Sequence, residues 1–474
     1  MKIRIFLIVA IVFFNNIVHA QTVCECNEAL GRLIKKIESE YPGFEEKTKD
    51  KIVYDSFKKQ LMEQASNLEK GRCFDVLKKY TSFFRDGHIW INPATSINVN
   101  GAGSTEMVDI DIESFRKRLK ADHDPLEGIW KNRFEWTGGV VYEIGITQNS
   151  DGVKVGFVIS STSAYWKQKE IKFRLYPNGT YEFYSFDKTL KTGTYEIFKN
   201  SIIYFKESGA AFIIESRQSV LTAQETKRKV GDFYGFGIKK LSNKTSLIKL
   251  SSFDYPFVEI IEDLITNNQS LMQYENLIID IRGNSGGTDN AYEMLLPYIM
   301  TNSIRNIGVE YLATQTLVKG LEDYIKTISN NKEKQEEINT VTRWIGLYKK
   351  NMGKFVNLKD SIFSIQQVIP LKKSPNHVVI LTDKRVGSSA ESFVMKAKQS
   401  KKVKIIGTVT SGGLDYAAAR MFDFGCPEYL LQLPTYRSSR LPDYPIDNIG
   451  IQPDIYLDKS VNDWINFASG YLER

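Results

Sequence analysis

A serine set in a turn of small residues is the first candidate for chemistry. Val386-Gly387-Ser388-Ser389-Ala390-Glu391-Ser392-Phe393 follows an apolar run, Val378–Thr382, that reads as a buried strand. It opens into Ala390 to Lys401, where Phe393, Val394 and Ala397 recur at helical spacing. Strand, tight turn and helix together lift a hydroxyl above a sheet at a helix N-terminus, where free backbone N–H groups can hold a developing negative charge. The plainer reading of this stretch alone is a serine helix cap. A second turn, Arg282-Gly283-Asn284-Ser285-Gly286-Gly287, ends the apolar strand Leu277-Ile278-Ile279-Asp280-Ile281. Its glycines let backbone N–H groups approach a ligand closely. That makes the turn, with Gly286 and Gly287, a candidate oxyanion hole, or else a plain strand-to-helix turn. The turn lacks the Gly-Lys-Ser/Thr ending of a phosphate loop and the spacing of a dinucleotide loop.

A serine nucleophile needs a base, and histidine is scarce. His123 lies in a polar link, Asp122-His123-Asp124-Pro125. His377 begins the strand whose far end carries Ser388, which holds the two roughly 15–25 Å apart at ~3.3 Å per residue. That leaves His88, directly after Asp86-Gly87, as the candidate base; otherwise it is a capped loop histidine.

These residues must be positioned by several elements. The chain has 474 residues, 42% hydrophobic and 25% charged, which is globular composition and too long for one small core. Residues 24–85 read as helical, with Leu30, Leu33, Ile34 and Ile37, then Phe57, Leu61, Ala65 and Leu68, three and four apart. Ile89-Trp90-Ile91 follows as a strand. Gly128 to Ser216 alternates in short runs rich in Tyr, Phe, Ile, Val and Thr, and Asn178-Gly179 is a strong hairpin signal. This is an inserted antiparallel β domain without a catalytic constellation of its own. From about residue 226 the pattern is strand–helix alternation: a strand at Leu247–Leu250, helices at Phe257–Ile265 and Asn290–Met300, then strands at Val403–Ile406 and Tyr429–Leu433 in the same sheet. A charged helical insertion occupies about residues 310–360 and reads as a lid over the serine turn.

Residues 1–20 read as a secretory leader: Lys2 and Arg4, then a ten-residue apolar run from Ile5 to Phe14 that is too short to span a bilayer. Val18 and Ala20 suit cleavage at Ala20/Gln21. The expected protein is exported, periplasmic or extracellular, with no stable membrane insertion. Removing the leader takes the net charge from +7 to +5, a mild excess with acidic residues interspersed and no nucleic-acid signature. Export permits disulfides among Cys24, Cys26, Cys73 and Cys426. Cys24 or Cys26 could pair with Cys73, and sequence leaves the pairing open. A Cys-x-Cys metal site is the weaker alternative, and neither metal nor cofactor is expected.

Four blocks occur in a telling order: Leu277 to Gly287 (LIIDIRGNSGG), the Ser388 turn (VGSSAESF), Lys404–Thr408 with Thr410-Ser411-Gly412-Gly413, and Gly450-Ile451-Gln452-Pro453-Asp454. Together they resemble the catalytic core of the tail-specific (C-terminal-processing) serine proteases, which include the tricorn core and the interphotoreceptor retinoid-binding proteins. Asp86-Gly87-His88 matches that family's Asp-x-His segment. The resemblance covers about residues 235–460. It implies a ClpP/crotonase-like α/β protease core, a peptide or protein substrate and an acyl-enzyme on Ser388, the serine three before Glu391 and five before Phe393; Ser389 would then supply one oxyanion N–H, and Gly286 or Gly287 the other. The base lysine of the Ser/Lys branch is missing, because Gly413 and Leu414 stand there. The tricorn-like branch uses an upstream His and an acidic residue three before the Gly-Ile-x-Pro-Asp block, which here are His88 and Asp447, one methylene shorter than a Glu. No PDZ domain is recognisable; the β domain takes its place in the chain. The expected organisation is a leader at 1–20, a helical segment at 21–124, the β domain at 125–225 and the protease core at 226–474. The rival readings are a non-catalytic binding protein on the same fold and an esterase, the latter lacking the Gly-x-Ser-x-Gly elbow.

Overall fold

The apolar runs that end in the two candidate turns become adjacent parallel strands, Asn276–Asp280 and His377–Thr382, with Asp280 opposite Leu381. They are central to a six-stranded sheet ordered Gly237–Lys240, Thr245–Lys249, Asn276–Asp280, His377–Thr382, Val403–Gly407 and Ile455–Tyr456. Only the first pair is antiparallel. Every residue of Asn276–Asp280 is buried, as a parallel strand covered on both faces requires. Leu247, Ile278, Val379, Leu381 and Ile406 pack with Trp464, Ile465 and Ala468 of the helix Trp464–Leu472. Each such side chain contributes about 1.5–3 kcal/mol of burial. This computed structural model describes residues 24–68, 73–93, 105–119, 124–132, 140–162, 166–185, 188–216, 219–359 and 361–474. The leader, the Ala20/Gln21 junction and His123 lie outside them. Among the described residues no helix is long and apolar enough to cross a membrane.

The chain divides into two units. One holds the six-stranded sheet and the β domain, drawn from Pro93–Asn302, Ile369–Thr410 and Gln452–Arg474. The other holds the N-terminal helices up to Asn92, Ser303–Val368 and Ser411–Ile451.

In the first unit the β domain is a closed eight-stranded barrel from Gly128–Asn132 to Ala210–Ile214. Consecutive strands pair antiparallel, and the first strand closes on the last. Closure leaves no strand edge unpaired. Trp130, Tyr142, Phe173, Phe183, Phe205 and Phe212 fill the interior. The Asn178-Gly179 turn joins Ile171–Leu175 to Thr180–Tyr184 as expected. The helix Ala223–Phe233, started by a Thr222/Glu225 capping box, ties the barrel to the sheet region. The Phe233 ring stacks on Tyr204 at 4.7 Å, and Tyr234 meets Phe257 at 4.9 Å. The continuous helix expected at Asn290–Met300 is instead a 3₁₀ turn, Asp289–Leu295, followed by the short α-helix Leu296–Ile299. Pro297 has no N–H to donate to a carbonyl four residues back, so the preceding turn tightens.

In the second unit Cys26–Glu40, Lys51–Ser66 and Cys73–Ser82 are helices around Leu30, Leu33, Ile37, Leu61 and Leu77. Tyr429–Leu433 does not extend the six-stranded sheet, contrary to expectation. It lies between Trp90–Pro93 and Arg420–Phe422 in a three-stranded sheet, with Leu431 and Leu433 buried in the helical core. Cys24–Cys426 pins this segment to the N-terminal helices, and Cys26–Cys73 joins two of those helices. With all four sulfurs in disulfides, the cysteines offer no thiolate to a metal. The insertion is a helical hairpin, Gln315–Ile328 and Gln335–Lys350, packed through Leu317, Val318, Val341, Ile345 and Tyr348. The Cys24–Cys426 bond spans 402 residues. Replacing both cysteines by Ala should lower unfolding free energy by about 2–5 kcal/mol, measured by denaturant titration under non-reducing conditions.

Candidate active site

Ser388 stands between the end of the strand His377–Thr382 and the helix Ser389–Ala397, with φ 50° and ψ −121°. A β-carbon makes this conformation costly, by about 1–3 kcal/mol, so the surroundings must hold it. Glu391 does so from complete burial. One carboxylate oxygen accepts the Ser388 N–H at 3.1 Å, and the other accepts the Thr410 hydroxyl at 2.6 Å. Phe393, on the same helix, packs against Phe253 and Tyr292 with ring centroids 5.8 and 5.2 Å away. The serine turn is thus braced from its own helix through Glu391 and Phe393, and from Thr410, Phe253 and Tyr292 outside it.

The glycine-rich turn lies directly against it. A β-carbon at Gly286 would sit 2.7 Å from the Gly387 carbonyl oxygen and 2.9 Å from both the Ser388 β-carbon and the Ser389 nitrogen. Gly286 also has φ +104°, and Gly287 has φ +140°. Only glycine tolerates this approach and these angles together. Gly286 donates its N–H to the Asn284 side chain at 2.9 Å. Among the described residues, the N–H groups of Gly287 and Ser389 have no protein acceptor. Of the two glycines, Gly287 is therefore the one with a donor to offer.

His88 and Asp447 belong to the other unit. Arg85, at φ 48°, turns the chain after the helix Cys73–Ser82. Asp86 Oδ1 accepts the His88 N–H at 2.8 Å and lies 3.8 Å from His88 Nδ1. Gln432 donates to the His88 carbonyl at 3.3 Å, and Asn448 donates to that of Arg85 at 3.0 Å, so the histidine loop is held from two later segments. Asp86 is buried and its Oδ2 accepts the Tyr41 hydroxyl at 2.9 Å. Asp447 accepts N–H groups from Leu414 and Asp415 at 3.1 and 2.9 Å, and pairs with Lys47 at 3.2 Å. Burial raises the Asp447 pKa, and the Lys47 ammonium works against that rise. Sequence reasoning missed Lys47, Asn284 and the Glu391–Thr410 bond. Asn284, Glu391 and Thr410 stand in the four ordered blocks, but the bonds Asn284–Leu250, Glu391–Thr410 and Lys47–Asp447 join residues distant in sequence, which spacing does not reveal.

Burial, and then the Asp447 charge, push Asp86 from an ordinary 3.8 up to about 6; the His88 charge and the bonds from His88 N–H and Tyr41 work the other way. A raised acid stabilises the fold fully below its unfolded value. That stability is lost as pH rises through about 6, a span worth on the order of 3 kcal/mol. Asp86→Asn should therefore melt higher than the parent at pH 7–8, and the gap should close near pH 4. Thermal denaturation across pH checks this.

Residues 244–457 match the model of peptidase family S41. This segment is an S41 peptidase domain. The S41 assignment makes the protein a serine-type peptidase, with peptides or proteins as substrates. Solved structures similar to it include mature CPAF complexed with lactacystin, at 13% identity over 95% of this chain and 97% of that one, with a TM-score of 0.50. Mature CPAF alone matches at 14% identity over 95% of each chain, with a TM-score of 0.47. A photosystem II C-terminal processing protease matches at 12% identity over 94% and 96%, with a TM-score of 0.38. At such identities the likeness concerns the fold. A search of curated proteins finds no match.

Proposed function

We propose that this S41 domain is an exported endopeptidase working through an acyl-enzyme on Ser388. The observation that carries the reading is the strained Ser388 turn set against Gly286, with the Ser389 and Gly287 N–H groups lacking acceptors among the described residues. A carbonyl carbon attacked by the Ser388 hydroxyl gains charge on its oxygen, and two backbone donors stabilise that charge. His88 takes the serine proton and returns it to the leaving amine. Asp447 fixes the imidazole tautomer and stabilises its charged form. Water then repeats the sequence on the ester. The core is of the ClpP/crotonase-like kind, and the barrel stands in place of a PDZ domain. Two disulfides support export, since they persist in oxidising compartments. A fluorophosphonate probe tests the reading: it should label the parent covalently and leave Ser388→Ala unlabelled. Labelling that persists in Ser388→Ala would place the nucleophile elsewhere.

A further inference from the structure

We propose that Asn284 is a positioning residue for the oxyanion hole, a role that rests on the Ser388 reading above. Its side chain is completely buried and uses both ends. Oδ1 accepts the Gly286 N–H at 2.9 Å, and Nδ2 donates to the Leu250 carbonyl at 3.0 Å. Its own carbonyl accepts the Gly387 N–H at 3.1 Å, immediately before the nucleophile. One residue thus joins three neighbouring strand ends: the segment after Thr245–Lys249, the glycine turn and the serine turn.

The bond to Gly286 has a chemical consequence. It occupies the N–H of the glycine nearest the nucleophile and holds the turn so that the next N–H, on Gly287, keeps no acceptor among the described residues. The other side of Gly287 is held as well, since Phe253 donates to the Gly286 carbonyl at 3.0 Å and accepts from Thr288 N–H at 2.8 Å. A donor fixed before the reaction stabilises the oxyanion without reorganising, which is where such sites gain most of their effect. Released from Asn284, the Ser285–Gly286 peptide can rotate and loosen the neighbouring peptide, which carries the Gly287 N–H and is otherwise held at its carbonyl by Phe253.

The test uses the full chain and an alkyl fluorophosphonate, whose phosphonyl oxygen gains charge as serine attacks. Asn284→Ala should lower the maximal inactivation rate by about 10- to 100-fold, with the half-saturating probe concentration unchanged. Asn284→Asp keeps the size, and when protonated keeps both bonds. Its deficit should therefore shrink as pH falls, relative to the parent's own profile, and it decides the matter if Asn284→Ala does not fold. An unchanged maximal rate, a loss confined to half-saturation, or an Asp variant whose deficit is independent of pH would overturn the proposal. A parent that is not labelled, or a labelled Ser388→Ala, would instead overturn the nucleophile assignment.

Discussion

Ser388→Ala and His88→Ala are each expected to cut peptide turnover by on the order of 10³-fold or more, with the double variant little worse than either. A serine hydroxyl is a poor nucleophile until a base removes its proton, so the pair acts as a unit. Asp447→Ala should cost less, because that carboxylate orients rather than reacts. The informative comparison is with the adjacent serine. Ser389 contributes a backbone N–H that Ala keeps, and its buried hydroxyl has no partner among the described residues, so Ser389→Ala should retain most activity and lose no stability. Turnover and probe labelling of the two alanine variants, side by side, check the register. Labelling lost in Ser389→Ala and kept in Ser388→Ala would move the nucleophile by one residue.

Gly286→Ala should lower turnover by about 10²–10³-fold, the usual cost of spoiling one oxyanion donor. The added β-carbon would lie within 2.9 Å of Ser388 and Ser389 atoms and 2.7 Å from the Gly387 carbonyl. These neighbours are backbone or the nucleophile's own β-carbon, so relief must come from the turns themselves. The positive φ adds about 1–3 kcal/mol of strain, which should appear as a lower melting temperature. Measuring turnover and melting on the same sample separates the effects. A variant that melts lower but turns over normally would show that the close approach serves stability alone.

Much of the core is legible in the sequence. Apolar runs bounded by glycine and small residues become the strands Asn276–Asp280 and His377–Thr382, because a strand buried on both faces must be continuously apolar. The Asn178-Gly179 hairpin was legible because its turn needs a residue that accepts positive φ, which Gly179 supplies at +84°. The barrel's closure was not. Pairing of Gly128–Asn132 with Ala210–Ile214 joins strands far apart in the chain, and no local pattern encodes it. Tyr429–Leu433 was read into the wrong sheet for a similar reason: alternation marks a strand but not its neighbours.

The sequence by itself determined the four ordered blocks, and through them an S41 serine-type peptidase domain, because local backbone demands at turns restrict residue types strongly. Tertiary structure alone decided how the turns are held. Gly283 and Asp383, a hundred residues apart, are hydrogen-bonded; Asn284 joins three strand ends; and Lys47 pairs with Asp447 across four hundred residues. It also decided which cysteines pair and which of the two glycine N–H groups bonds to Asn284. Such contacts depend on where folding brings distant segments together, and a buried Asn or a paired Lys carries no spacing that announces its partner.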